Sequence, residues 1–193
     1  MNPFLPEAVQ RRLVLASASP RRRELLERLG FEAPFKVSDF VESNLAEDPI
    51  EAAKANALGK ARDVAKRHSG KLVLGADTVV ILDGRILGKP VDAVDAARML
   101  TALSGREHDV VTALALVGDG EITEHSCTRV QFRDLSSAEI EAYVASGEPM
   151  DKAGAYGIQG LASQFVTRIE GCYFNVMGLP LELLTRMLSQ IEE

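Results

Sequence analysis

The chain has 193 residues, 46% of them apolar and 26% charged, which is enough for one compact domain or two small lobes sharing a core. Acidic side chains outnumber basic ones 28 to 22, for a formal charge of −6. That excess argues against a general binder of polymeric nucleic acid or of anionic membrane, since such proteins lean on surplus Lys and Arg. Any phosphate chemistry must therefore use a local basic cluster, set against the overall sign.

The N-terminal segment places Arg11 and Arg12 before an apolar stretch of only Leu13 to Ala16, too short for the core of a signal peptide. No apolar run approaches the roughly 18 residues needed to cross a bilayer. Cys127 and Cys172 have no CxxC spacing and read as thiols of a reducing compartment. These features predict a soluble, cytoplasmic protein.

Leu13-Val14-Leu15 reads as a short buried strand that feeds small residues into a turn. Ser19 and Pro20 then give an N-cap followed by an N1 proline, and a helix runs over 21–29 to Gly30. Residues 35–40 read as a strand. Asp48-Pro49 starts a second helix, in which Ala53, Ala57, Ala61 and Val64 recur at helical spacing to about His68. A buried-strand run over 72–74 is predicted to stop at Gly75-Ala76-Asp77-Thr78. Residues 79–82 and 85–87 flank Asp83-Gly84, a hairpin signal. A helix is predicted over 92–103, and a longer hairpin over 110–117 and 122–133 around Gly118-Asp119-Gly120. Ser136 or Ser137 caps a further helix, residues 165–169 read as a strand, and 181–191 as a closing helix. Crossover helices mixed with hairpins predict an α/β fold on a mixed sheet.

Four segments carry candidate chemistry. Ser17-Ala18-Ser19-Pro20-Arg21-Arg22-Arg23 brings hydroxyls and three arginines to a helix N-terminus, where backbone N–H groups and the helix dipole favour an anion. Without an anion, three cations there oppose the dipole, so a solvated basic turn is the competing reading. Gly84-Arg85-Ile86-Leu87-Gly88-Lys89-Pro90 resembles a P-loop only superficially. It is one residue short between the glycines, and Pro90 stands where a metal-binding hydroxyl belongs. Lys89 remains a candidate phosphate contact.

Asp77 closes an apolar run, a place where α/β folds put catalytic acids; a turn-forming Asp is the alternative. Glu42 lies in the polar segment Val41-Glu42-Ser43-Asn44 and by itself reads as a surface residue. Two such carboxylates could hold one Mg²⁺ or Mn²⁺. Lys60 falls about 60° from the centre of the alanine stripe, where a lysine ordinarily snorkels over the core edge. His108, at the start of a strand, reads as structural. In Asp151-Lys152-Ala153-Gly154-Ala155-Tyr156-Gly157-Ile158-Gln159-Gly160, the glycines permit close backbone approach to a ligand, with Tyr156 as an aromatic face and Gln159 as an amide. No HExxH or GxSxG pattern is present, which disfavours a zinc hydrolase and a serine nucleophile.

Taken together, LASASPRR (15–22), GADT (75–78), GKP (88–90), SGREH (104–108), DKAGAYGIQG (151–160) and NVMGLP (175–180) resemble the Maf family of nucleoside triphosphate pyrophosphatases across nearly the whole chain. The resemblance implies a single domain over 1–193, with two α/β lobes that share a central mixed sheet with flanking helices and lie around a cleft. This arrangement is similar to the inosine triphosphate pyrophosphatase fold, and the family is usually dimeric. It implies Asp77 as general base and Ser17, Arg21, Arg22, Lys60 and Lys89 on the triphosphate. Glu42 would join Asp77 on Mg²⁺ or Mn²⁺, and Thr78 and Gln159 would take part in base choice. The AYGIQG version is similar to the subfamily acting on dTTP and UTP. The competing expectation is a nucleotide-binding regulator of cell division that acts through a protein partner.

Overall fold

The computed structural model describes residues 2–43 and 48–191. Asn44, at the end of the polar segment that carries Glu42, lies outside the described residues. Secondary structure runs α1 (Glu7–Arg12), β1 (Leu13–Ala16), α2 (Pro20–Arg28), β2 (Phe35–Lys36), α3 (Pro49–Ala65), β3 (Leu72–Leu82), β4 (Arg85–Leu87) and α4 (Ala93–Leu103). It continues with β5 (Glu107–Val117), β6 (Glu121–Phe132), α5 (Ser137–Ala145), three short 3₁₀ turns, β7 (Val166–Glu170), α6 (Tyr173–Val176) and α7 (Leu181–Leu188).

Among the described residues the sheet has seven strands in the order β2-β1-β3-β5-β6-β7, with β4 paired to β3. It is mixed, as the pattern predicts. β1 lies parallel to both β2 and β3, whereas β3–β4 and β6–β7 are antiparallel. All four residues of β1 are buried, as a strand covered on both faces requires. The β3–β4 turn places Asp83 and Gly84 at positive φ (51° and 74°), the conformation a two-residue hairpin needs.

The chain divides into two compact units. The first comprises Met1–Asp77, Thr112–Ser126 and Gly178–Glu193; the second comprises Thr78–Val111 and Cys127–Met177. In the first, β1, the start of β3 and the alanine face of α3 form the interior with Leu25 and Leu26 of α2 and Leu183, Leu184, Met187 and Leu188 of α7. In the second, Leu100 and Leu103 of α4, Phe132 and Ile140 are buried, together with Tyr143, Tyr156 and Phe165.

Besides shifts of a few residues at other ends, such as the closing helix stopping at Leu188, two predicted elements differ from those observed. The strand expected over 35–40 is only Phe35–Lys36. Beyond it the backbone N–H of Asp39 and the Ser38 hydroxyl donate to the Asp63 carboxylate on α3 at 2.9 and 3.0 Å, so the segment is drawn to the helix instead of the sheet. The strand expected to stop at Gly75 continues to Leu82. Its pairing with β1 ends at Gly75 and its pairing with β4 begins at Val80, so Ala76-Asp77-Thr78-Val79 bridge two partners within one strand. Asp77 therefore sits mid-strand, not at a strand end.

Candidate active site

The first unit gathers six of the predicted residues: Ser17, Arg21, Arg22, Glu42, Lys60 and Asp77. Four alanine-scale residues explain how. Ala53, Ala57 and Ala61 are fully buried on α3, and Gly75 lies beneath them. A Cβ at Gly75 would stand 2.1 Å from the Ala57 carbonyl oxygen and 2.9 Å from the Ala61 Cβ, so helix and strand meet backbone to backbone. That close approach lets two α3 side chains one turn apart, Asn56 and Lys60, reach the Asp77 carboxylate.

Asp77 is 6% exposed. Lys60 Nζ donates to its Oδ1 at 2.7 Å and Asn56 Nδ2 to its Oδ2 at 3.2 Å. Lys60 Nζ is also 2.7 Å from Glu42 Oε1, so one ammonium lies against both carboxylates expected to act together. The expected snorkelling of Lys60 over the core edge is thereby corrected. Its side chain is mostly buried and its charge points into the polar cluster. Lys54, on the other border of the stripe, instead pairs with Glu51 at 2.8 Å.

The three arginines of the first turn have separate settings. Arg23 is exposed, pairs with Glu27 at 2.7 Å and lies over the Phe35 ring. Arg21 is half-buried. Arg22 is buried; its Nε donates to the Gly178 carbonyl at 2.8 Å, and its Nη1 to the Ala76 carbonyl at 2.9 Å and to Ser17 Oγ at 3.3 Å. Ala76 has left the β1 ladder, which is why its carbonyl is open to a side chain. Burial pulls the Arg22 guanidinium below its usual range; the charge of Asp77 opposes this, Arg21 adds to it and Glu42 opposes it. Arg22 thus ties the strand–helix turn, β3 and the start of the C-terminal segment around the Asp77 cluster. Ser19 holds the N-cap position, but its side chain makes no capping bond. Ser17 Oγ instead accepts from the Ser19 N–H at 3.1 Å.

Asn56 is the residue that reading the sequence misses. It is 1% exposed, and besides its bond to Asp77 its Oδ1 accepts from the Ser43 N–H at 2.9 Å, which anchors the segment next to Glu42. The signal was available: a polar side chain on a buried alanine face, one turn before Lys60, has to have a partner.

The second unit carries Thr78, Lys89 and Gln159. Thr78 is half-buried, and Lys89 and Gln159 are exposed. The loops bearing Lys89 and Gln159 are joined where the Gly154 N–H donates to the Gly88 carbonyl at 3.0 Å. Gly154 has a φ of 67°, and a Cβ there would press into Val80 at 2.9 Å, which accounts for glycine at that point of the motif. Tyr156 departs from its expected role as an aromatic face for a ligand. It is 5% exposed, sits edge-on to Phe132 and shares a hydrogen bond of 2.8 Å between its hydroxyl and His108 Nε2. His108 is structural, as its position predicted.

For a divalent ion, Glu42 and Asp77 offer two hard oxygen donors that already converge on one cation, the Lys60 ammonium. That donor set fits Mg²⁺ or Mn²⁺, which take one or two carboxylates and complete their shell with substrate phosphate and water. Among the described residues no group of three or more His, Cys, Asp or Glu forms a protein-only cage.

A buried carboxylate flanked by cations, beside an arginine-bearing helix start, brings together the kinds of group that hydrolysis at phosphorus calls for. The model of the family described as Maf-like protein matches residues 12–191, and the chain belongs to that family. The dTTP/UTP pyrophosphatase of Symbiobacterium thermophilum is 51% identical over 180 residues, covering 92% of this chain and 93% of its own. That of Moorella thermoacetica is 52% identical over 185 residues, covering 92% and 94%. That of Clostridium botulinum strain Kyoto is 50% identical over 187 residues, covering 93% and 96%. Among solved structures, the Staphylococcus aureus Ham1 protein aligns over 92% of this chain and 98% of its own at 14% identity, with a TM-score of 0.46.

Proposed function

We propose that this protein is a nucleoside triphosphate pyrophosphatase that hydrolyses dTTP and UTP to the monophosphate and pyrophosphate. The observation that carries the reading is the buried Asp77 carboxylate, oriented by one donor on each oxygen. Its support is the set of relatives of that name that share half of this sequence.

Water attacks the α-phosphorus in line, the bond to the bridging oxygen of the β-phosphate breaks, and pyrophosphate leaves. Asp77 takes the proton of the attacking water, a role typically worth about 10²–10⁴ in rate. Asn56 holds that carboxylate in place. Lys60, Ser17 and Arg21 engage the phosphates, and Arg22 keeps the turn that carries them in shape. Lys89 adds a phosphate contact, and Thr78 and Gln159 read the base; the family pattern at these positions supports those roles. A divalent cation held by Glu42 and Asp77 would supply electrostatic stabilisation of the charge that grows on the phosphate oxygens. Among the described residues no helix is long and apolar enough to cross a membrane. We further propose that the enzyme is cytoplasmic and homodimeric; light scattering tests the oligomeric state.

The test of the activity is purified protein with Mg²⁺ or Mn²⁺ and a panel of nucleoside triphosphates, with pyrophosphate and orthophosphate measured separately. Pyrophosphate released from dTTP and UTP in preference to the other nucleotides is the expected result. No turnover, or orthophosphate as the sole initial product, overturns the assignment.

A further inference from the structure

An amide side chain such as Gln159 can present either its oxygen or its NH₂ to a ring, and it discriminates between bases only from a fixed place. Gln159 is exposed, between the buried Ile158 and the half-buried Gly160. The Gly160 N–H donates to the Gly157 carbonyl at 3.0 Å, so residues 157–160 form a tight turn with Gln159 near its tip. A glycine-flanked turn of this kind has a shallow conformational well of its own.

Two side chains outside the motif close that turn from both ends. The Gly157 N–H donates to Tyr143 Oη at 3.2 Å. Tyr143 Oη–H donates in turn to Glu148 Oε1 at 2.9 Å, and the other carboxylate oxygen, Glu148 Oε2, accepts from the Leu161 N–H at 3.0 Å. One chain of three hydrogen bonds therefore spans the turn, from the residue two before Gln159 to the residue two after it.

The clamp is itself held. The Glu148 N–H donates to Ser146 Oγ at 3.2 Å, and Lys152 Nζ donates to the Glu148 carbonyl at 2.6 Å. Tyr143 stacks edge-on against Phe165 at 5.1 Å. A Cβ at Gly160 would stand 2.3 Å from Glu148 Oε1, so the glycine leaves room for the carboxylate to lie against the turn. Burial pushes the Tyr143 hydroxyl up from its usual range.

We propose that Glu148 and Tyr143 are specificity-positioning residues: they lock the turn 157–160 in one shape and so fix the place from which Gln159 meets the pyrimidine ring. The proposal rests on the reading of Gln159 as the base-choosing amide. Both residues belong to the second unit with Gln159, and the clamp is assigned to base choice and not to the chemical step.

The experiment compares Glu148→Gln, Tyr143→Phe and Gln159→Ala with the parent enzyme, each checked for a cooperative thermal transition. It measures the ratio of kcat/KM for dTTP to that for dCTP, together with backbone amide hydrogen exchange over 157–161. Tyr143→Phe keeps the ring packing and removes only the hydroxyl. The expected result is a ratio lowered about tenfold in both clamp variants, toward that of Gln159→Ala, with kcat for dTTP within about threefold of the parent and faster exchange at Gly157 and Leu161. An unchanged ratio in both clamp variants, while Gln159→Ala collapses it, overturns the clamp and leaves the base-choosing role intact. An unchanged ratio in Gln159→Ala overturns that role and the clamp's purpose with it. Should a variant fail to fold, the parent enzyme still decides: Gly157 and Leu161 amides that exchange as fast as an open loop overturn the clamp.

Discussion

Asp77 and His108 are two polar residues buried in strands of one sheet, 6% and 3% exposed, and they have opposite surroundings. Asp77, in the first unit, faces an ammonium and an amide, with a guanidinium nearby. His108, in the second unit, faces the rings of Phe132 and Tyr156 with centroids 5.0 and 5.4 Å away. Its Nε2 meets one hydroxyl, and its Nδ1 has no hydrogen-bond partner among the described residues. The first setting surrounds a carboxylate with polar groups that orient it. The second excludes charge: burial lowers the His108 imidazole to about 4, only partly offset by Asp109. What neighbours carry, and not depth of burial, separates the polar residue proposed as the base from the one packed among rings.

The largest test of this contrast is Asp77→Asn, which keeps the shape and removes the base. Pyrophosphate release from dTTP should fall by about 10²–10⁴ while binding of substrate, followed by equilibrium titration, persists. Wild-type rates would remove Asp77 from its role.

Next is Gly75→Ala. The added methyl meets backbone at 2.1 Å, so α3 has to lift from β3, at a cost of about 1–3 kcal/mol in urea unfolding. Since the lift carries Lys60 and Asn56 from Asp77, turnover should fall about 10²-fold. A variant of unaltered turnover would show that the close helix–strand contact is not what assembles the cluster.

Asn56→Leu strips one donor from Asp77 and the acceptor of the Ser43 N–H. A loss of about 1–3 kcal/mol is expected in stability, and about tenfold in kcat. Equal kcat in parent and variant would make Asn56 a packing residue only.

The smallest effect on activity belongs to His108→Phe, which should stay within about threefold of the parent. Its signature lies in stability against pH. The folded imidazole titrates near 4 against an ordinary value of 6.5, so the unfolded chain binds the proton first. The stabilisation from the neutral ring is complete above about pH 6.5 and declines as pH falls toward 4, by on the order of 3 kcal/mol in total. Urea unfolding at pH 7 and pH 4.5 should show this decline in the parent and a flatter response in the variant.

Much of this was legible in the residues alone. The mixed α/β pattern follows from period and turn chemistry: Asp83-Gly84 for the hairpin, Asp48-Pro49 for the start of α3, and Ser136 or Ser137 for the cap of α5, which Ser136 holds. Short-range rules fail where a long-range partner decides. Residues 37–40 have strand-like composition, yet the Ser38 hydroxyl and the Asp39 N–H go to Asp63, a partner on a helix. GADT reads as a turn in isolation, but β4 takes up the strand beyond it, and a continuous β3 results.

The sequence by itself determined the kinds of group present: one basic helix start, carboxylates at Glu42 and Asp77, a glycine-rich motif with a single amide, and an acidic balance that disfavours nucleic-acid polymers. Tertiary structure alone decided which of these groups meet. Gly75 beneath Ala57 brings Asn56 and Lys60 to Asp77. Separately, Arg22 turns inward to backbone carbonyls, and Tyr156 is buried against His108. The physical reason is range. Composition and periodicity report what a residue prefers within a few positions, whereas hydrogen bonds and ion pairs act over about 3 Å between residues dozens of positions apart, and only close packing sets such distances.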